Sequence, residues 1–135
     1  MQEEYNIRRM KTAWHIDDDQ DMINAIALMM QLLDYEVRPF LNAPAAAEAL
    51  AEGGKPDLFL LDINMPQVSG MDMLEFIRRD KAYKDVPVVM LTSESTDAQE
   101  DEALDMGADA YVTKPATYDE LERGIYQAIR RRQQT

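Results

Sequence analysis

Five short apolar runs, TAWHI (12–16), YEVRPF (35–40), DLFLLDI (57–63), VPVVMLT (86–92) and ADAYVT (108–113), alternate with five stretches of helical spacing. The helical stretches lie near 20–33, 44–52, 70–80, 97–106 and 117–131. The first carries Ile23, Ile26, Ala27, Met30 and Leu33, and the last carries Leu121, Ile125, Ala128 and Ile129, at three- and four-residue steps. Strict alternation of strand and helix predicts a parallel sheet with helices on both faces, and uninterrupted runs such as LFLL suit strands buried on both sides. Pro39 cannot donate to a sheet ladder, so the second strand belongs at an edge. A doubly wound order of 2-1-3-4-5 satisfies this and puts the switch point, outside whose carboxyl ends ligands bind, between the first and third strands.

The chain has 135 residues, 46% of them hydrophobic, enough for one compact domain and one core. Residues 1–10, MQEEYNIRRM, read as a flexible extension, 11–131 as the domain and 132–135 as a C-terminal tail. A net charge of −12 repels nucleic acid and anionic membrane surfaces, so direct nucleic-acid binding is not expected. No apolar run of transmembrane length and no signal-peptide pattern occurs, so a cytoplasmic protein without membrane insertion is expected. Absence of cysteine removes disulfide frameworks and zinc-thiolate sites.

The strand ends carry the chemistry. Asp17, Asp18 and Asp19 follow the first run, Asp62 and Thr92 lie at the ends of the third and fourth, and Lys114 follows the fifth. Adjacent carboxylates raise one another's pKa and need a cation, donors or solvent. With a hydroxyl and an ammonium beside them they make a hard-oxygen site suited to Mg2+, and Lys114 and Thr92 can hold phosphoryl oxygens.

The phrases IDDD, LLDINMPQVSG, MLTSE and YVTKP, at compatible spacings over about 11–131, resemble the receiver domains of the response-regulator family of two-component signalling, in their stand-alone chemotaxis type. The resemblance implies a flavodoxin-like receiver fold and a phosphorylation-activated switch. In that reading Asp62 accepts a phosphoryl group from a sensor histidine kinase or a histidine phosphotransfer protein. Asp17, Asp18, Asp62 and the Asn64 backbone carbonyl would hold Mg2+, and Lys114 and Thr92 would engage the phosphoryl oxygens. Thr92 and Tyr111 would form the switch, Asn64 and Glu94 would tune dephosphorylation, and Lys114–Pro115 would be a cis peptide. The domain would catalyse only its own phosphorylation and dephosphorylation. A downstream protein target would be met on the face of the fourth helix, fifth strand and fifth helix, with the chain a monomer or weak dimer. A phosphorelay intermediate and a phosphorylation-independent scaffold are the alternatives.

Plainer roles account for other residues. Asp19 and Asp21 suit a helix start. His15, the only histidine, reads as a packed, hydrogen-bonded core ring. Gly53, Gly54 and Lys55 lack the spacing of a phosphate loop and read as a helix C-cap and turn. Most methionines read as core, with Met65 and Met71 partly exposed near the site. Arg130, Arg131 and Arg132 offset a helix dipole. The fourth helix and its approach carry Glu94, Asp97, Glu100, Asp101, Glu102 and Asp105 without a basic residue, which favours a partner with a basic face. A phosphatase of the haloacid-dehalogenase type would need a second aspartate where Asn64 stands, and an amide cannot deliver a proton.

Overall fold

The computed structural model describes residues 10–65, 68–93 and 96–134. Its elements are β1 (Lys11–Ile16), α1 (Gln20–Leu32), β2 (Tyr35–Phe40), α2 (Ala43–Ala51), β3 (Leu58–Asp62), α3 (Gly70–Arg79), β4 (Val88–Thr92), α4 (Asp97–Asp105), β5 (Ala110–Thr113) and α5 (Tyr118–Gln133). All four strand pairings are parallel and the sheet order is β2-β1-β3-β4-β5, the expected doubly wound flavodoxin-like topology. Pro39 lies on the edge strand, opposite His15.

Successive strand residues face opposite sides, and both sides are covered. Trp14, Ile16, Phe59, Leu61 and Met90 meet Leu50 of α2, Leu74 and Ile77 of α3 and Ala103 of α4. Ala13, Leu58, Leu60, Val89, Leu91 and Val112 meet Ile26 and Met30 of α1 and Leu121, Ile125 and Ala128 of α5. Every residue of β3 and β4 is therefore buried, which explains why these runs show no polar alternation. Each buried Leu or Phe contributes about 1.5–3 kcal/mol by leaving water, and truncating one such as Leu60 to alanine costs about 2–5 kcal/mol. Trp14 packs in the same cluster as the buried face of α2. Its ring lies 4.9 Å from that of Phe40 and 6.2 Å from that of Phe59, and a Cβ at Gly54 would strike it.

The helices start where capping residues stand. Asp19 accepts from the N–H groups of Asp21 and Met22, as the cap reading predicts. Asn42 and Thr96 cap α2 and α4, while Ser69 with Asp72 and Thr117 with Glu120 form reciprocal capping boxes on α3 and α5. The GGK stretch forms the expected end of α2, with Gly53 at φ +100°. Two details differ from expectation. Met65 is buried, whereas Met71 is partly exposed. The last helix runs to Gln133, so Arg132 and Gln133 are helical rather than part of a tail. Residues 1–9 of the proposed extension lie outside the described residues.

Candidate functional site

Parallel strands share one direction, so residues that end different strands arrive at the same edge of the sheet. β1 delivers Asp17, whose N–H donates to the Phe40 carbonyl, and β3 delivers Asp62 opposite Leu91. β4 delivers Thr92, opposite Thr113 of β5, and Lys114 follows with its N–H on the Thr92 carbonyl. Lys114–Pro115 is cis. Gly70 opens α3 so close to β3 that a Cβ there would collide with the Asp62 carbonyl. Only glycine lets the helix begin against the strand end.

Asp17 and Asp62 are buried, Asp18 is exposed, and carboxylate oxygens of all three lie within 4.8 Å of one another. One ammonium stands between the buried pair: Lys114 Nζ is 3.0 Å from Asp62 Oδ1 and 3.4 Å from Asp17 Oδ2. The Asp19 N–H donates to Asp17 Oδ1 at 3.0 Å, and the Asn64 N–H to Asp62 Oδ1 at 3.3 Å. Thr92 Oγ donates to the side-chain oxygen of Asn64 at 3.2 Å. Farther out, the half-buried Tyr111 hydroxyl donates to Gln99 Oε1 at 3.0 Å, tying β5 to α4.

The two buried carboxylates respond differently to their surroundings. Burial works against ionisation of Asp17, but His15, the Asp19 N–H and the Lys114 charge outweigh it and hold the carboxyl below its usual range. At Asp62 burial prevails, helped by the charge of Asp17, over the Lys114 hydrogen bond and the Asn64 N–H, and the carboxyl is pushed up. Burial disfavours the Lys114 ammonium, yet Asp62 and Asp17 raise it above its ordinary value. One lysine thus serves both buried carboxylates, with a third, Asp18, beside them. Each unpartnered like-charge contact at this range costs on the order of 3 kcal/mol at an effective dielectric of about 20. A small divalent cation fits this donor set, because Mg2+ takes a few carboxylate oxygens and keeps several waters.

The structure therefore brings together Asp17, Asp18, Asp62, Asn64, Thr92 and Lys114, and puts Tyr111 on the neighbouring strand. Glu94 lies outside the described residues. His15 departs from expectation. It is fully buried but not hydrogen-bonded: neither ring nitrogen has a partner that meets hydrogen-bond geometry, and Nε2 stands 3.4 Å from Asp17 Oδ2.

A second polar cluster, missed in the sequence, lies at the opposite end of the sheet. Asp109, fully buried, accepts from Arg78 Nη2 at 2.7 Å, the Val88 N–H at 2.9 Å and Arg132 Nε at 2.8 Å. Arg78 also donates to the carbonyls of Gly107, Lys84 and Val86. Arg132 is therefore a tether for the end of α5 and not only a counter to its dipole. The available signal was an acid, Asp109, set among the small apolar residues that open β5.

These features define a small parallel α/β domain with an acidic, lysine-bearing site at its switch point. The sequence profile of the response regulator receiver domain matches residues 14–126, and the chain belongs to that family. Such domains are receivers of two-component response regulators and act in phosphorylation-driven signalling as switches rather than conventional enzymes. Among relatives, the phosphate regulon transcriptional regulatory protein PhoB of Pseudomonas aeruginosa is 32% identical over 90% of this chain and 52% of its own length. The transcriptional regulatory protein KdpE of Mycobacterium tuberculosis is 34% identical over 86% of this chain and 50% of its own. The chain thus spans about half the length of these curated relatives. The chemotaxis protein CheY4 of Vibrio cholerae superposes with a TM-score of 0.80 at 25% identity, over 89% of this chain and 99% of its own. A putative response regulator from Chloroflexus aurantiacus gives a TM-score of 0.83 at 23% identity, a likeness of fold, over 90% of this chain and 99% of that one. Among the described residues no helix is long and apolar enough to cross a membrane.

Proposed function

We propose that Asp62 is the phosphoacceptor of a signalling switch. One of its carboxylate oxygens attacks the phosphorus of a phosphohistidine on a sensor kinase or phosphotransfer protein. The P–N bond breaks, its electron pair leaves with the imidazole nitrogen, and an aspartyl phosphate remains. The observation that carries this reading is the clustering of three carboxylates within 4.8 Å, with Lys114 3.0 Å from Asp62, at the carboxyl ends of the central strands. Asp17, Asp18, Asp62 and the Asn64 carbonyl would hold Mg2+, which when bound offsets charge building on the transferring group.

The remaining roles belong to this chain's own side chains. Lys114 moves from the carboxylates to a phosphoryl oxygen. Thr92 turns its hydroxyl from Asn64 to another oxygen, and Tyr111 enters the space that Thr92 vacates. This alters the face of α4, β5 and α5, where the protein target binds. Exposed acids on α4, among them Asp97, Asp101, Glu102 and Asp105, suit a target with a basic face. With its net charge of −12 the domain itself binds no nucleic acid directly and works in the cytoplasm as a monomer or weak dimer. Asn64 and Glu94 tune dephosphorylation and limit the phosphoryl lifetime. A decay rate left unchanged by substitution of Asn64 or Glu94 would count against that role.

Intact-mass measurement after incubation with Mg2+ and acetyl phosphate or phosphoramidate tests the acceptor. The parent should gain one phosphoryl group and Asp62→Asn none. A parent that gains nothing, or a variant that gains as much, overturns the assignment.

A further inference from the structure

His15 is the group that the proposed chemistry leaves unused. It stands two residues before Asp17 on β1, so both side chains project from the same face of the strand. Its strand neighbours in register are Pro39 and Leu60, neither with a polar side chain. The ring has no exposure to solvent and neither nitrogen has a formed hydrogen bond. An imidazole costs free energy in such a place, where an aliphatic side chain would not. A carboxylate stands close to it: Nε2 is 3.4 Å from Asp17 Oδ2.

We propose that His15 is a positioning residue for the cation-binding carboxylates: its Nε2–H donates to Asp17 Oδ2 and fixes the orientation in which Asp17 meets Asp18 and Asp62. The proposal rests on the reading of Asp17 as a ligand of the divalent cation. Asp17 Oδ1 is already held by the Asp19 N–H, leaving Oδ2 with Lys114 and His15, both at 3.4 Å. Lys114 is the movable partner, since it leaves for the phosphoryl group. His15 is the fixed one, mounted on a strand paired on both sides and packed away from water. A shift of a few tenths of an ångström closes its contact to the usual 2.9 Å or so. The contact needs only an N–H at Nε2, with no change of charge at His15. Partners of this kind behind a ligating group typically change metal affinity by about 10–100-fold when removed.

The test is calorimetric titration of the metal-free protein with Mg2+, with thermal unfolding followed in parallel. His15→Leu should bind Mg2+ at least about 10-fold more weakly than the parent, while His15→Gln, whose amide nitrogen reaches the position of Nε2, should recover most of the affinity. A folded His15→Leu that binds like the parent, or a folded His15→Gln as weak as the leucine variant, overturns the role. A parent that fails to bind Mg2+ overturns the reading of the whole site, so the two failures are distinguishable. Should the variants not fold, the parent suffices. The chain has one histidine, so its long-range 1H–15N imidazole spectrum shows a single ring. A proton on Nε2 supports the proposal and a proton on Nδ1 alone overturns it.

Discussion

At the amino-terminal edge of the sheet one buried carboxylate, Asp109, meets two guanidinium groups and a backbone N–H, and both its oxygens are in use. At the carboxyl edge two buried carboxylates share a single ammonium, with an exposed third carboxylate close by and a buried imidazole with no formed hydrogen bond. The fold is the same at both edges; the charge balance is not. The first arrangement is complete in the protein alone and binds α3, the β4–β5 region and α5 into one unit. The second is electrostatically short of positive charge, and a structure that tolerates such a deficit holds it ready for something from outside.

The contrast breaks first at its rigid end. Arg78→Ala removes four hydrogen bonds, one of them to the buried Asp109, and should cost about 3–5 kcal/mol in urea denaturation, as breaking a buried pair does. At the other edge, Lys114→Ala leaves Asp17 and Asp62 without their ammonium and should lose about 1–3 kcal/mol in metal-free buffer. Part of that loss should return on adding Mg2+, through preferential binding to the native state; no Mg2+ dependence would mean that the two edges do not differ as described. Arg132→Ala, which spares the Arg78 contacts, should cost about 1–2 kcal/mol, with the loss concentrated in hydrogen-exchange protection of the last turn of α5.

The smallest effect lies at the start of α5. The Thr117 N–H and hydroxyl hold the Glu120 carboxyl below its usual 4.5. A depressed carboxyl pKa stabilises the fold above pH 4.5 and loses that contribution as pH falls through the lowered value. Glu120→Gln should therefore give a shallower acid-side fall in stability than the parent, read from urea midpoints between pH 5 and about 3.

The carboxyl edge was far more legible than the amino edge. Asp17, Asp62, Thr92 and Lys114 each end or follow an apolar run, so the alternation that gave the strands also gave their convergence. Pro39 marked the edge strand for a local reason, its missing N–H. Asp109, by contrast, pairs with residues 31 and 23 positions away, and which arginines reach it depends on how α3 and α5 cross the sheet. Arg132 was further hidden because the periodicity of α5 faded before the helix ended. Gln99 could not be matched to Tyr111, nor the Asn64 amide to Thr92, since both contacts depend on how helices and loops settle at the edge. For His15, burial followed from its place on a central strand. The lack of a formed hydrogen bond did not, because it depends on the apolar side chains that happen to surround the ring.

The most direct measurement places one carboxylate from each edge side by side. Unfolding free energies of Asp109→Asn and Asp62→Asn, measured in metal-free buffer at neutral pH against the parent, should diverge. Asp109→Asn should be destabilised by about 2–4 kcal/mol, because two guanidinium groups lose their anion, while Asp62→Asn should be as stable as the parent or more so, because a carboxylate whose ionisation the fold opposes has been removed. Destabilisation of both variants by similar amounts would contradict the account: the carboxyl edge would then be a finished structural cluster like the other.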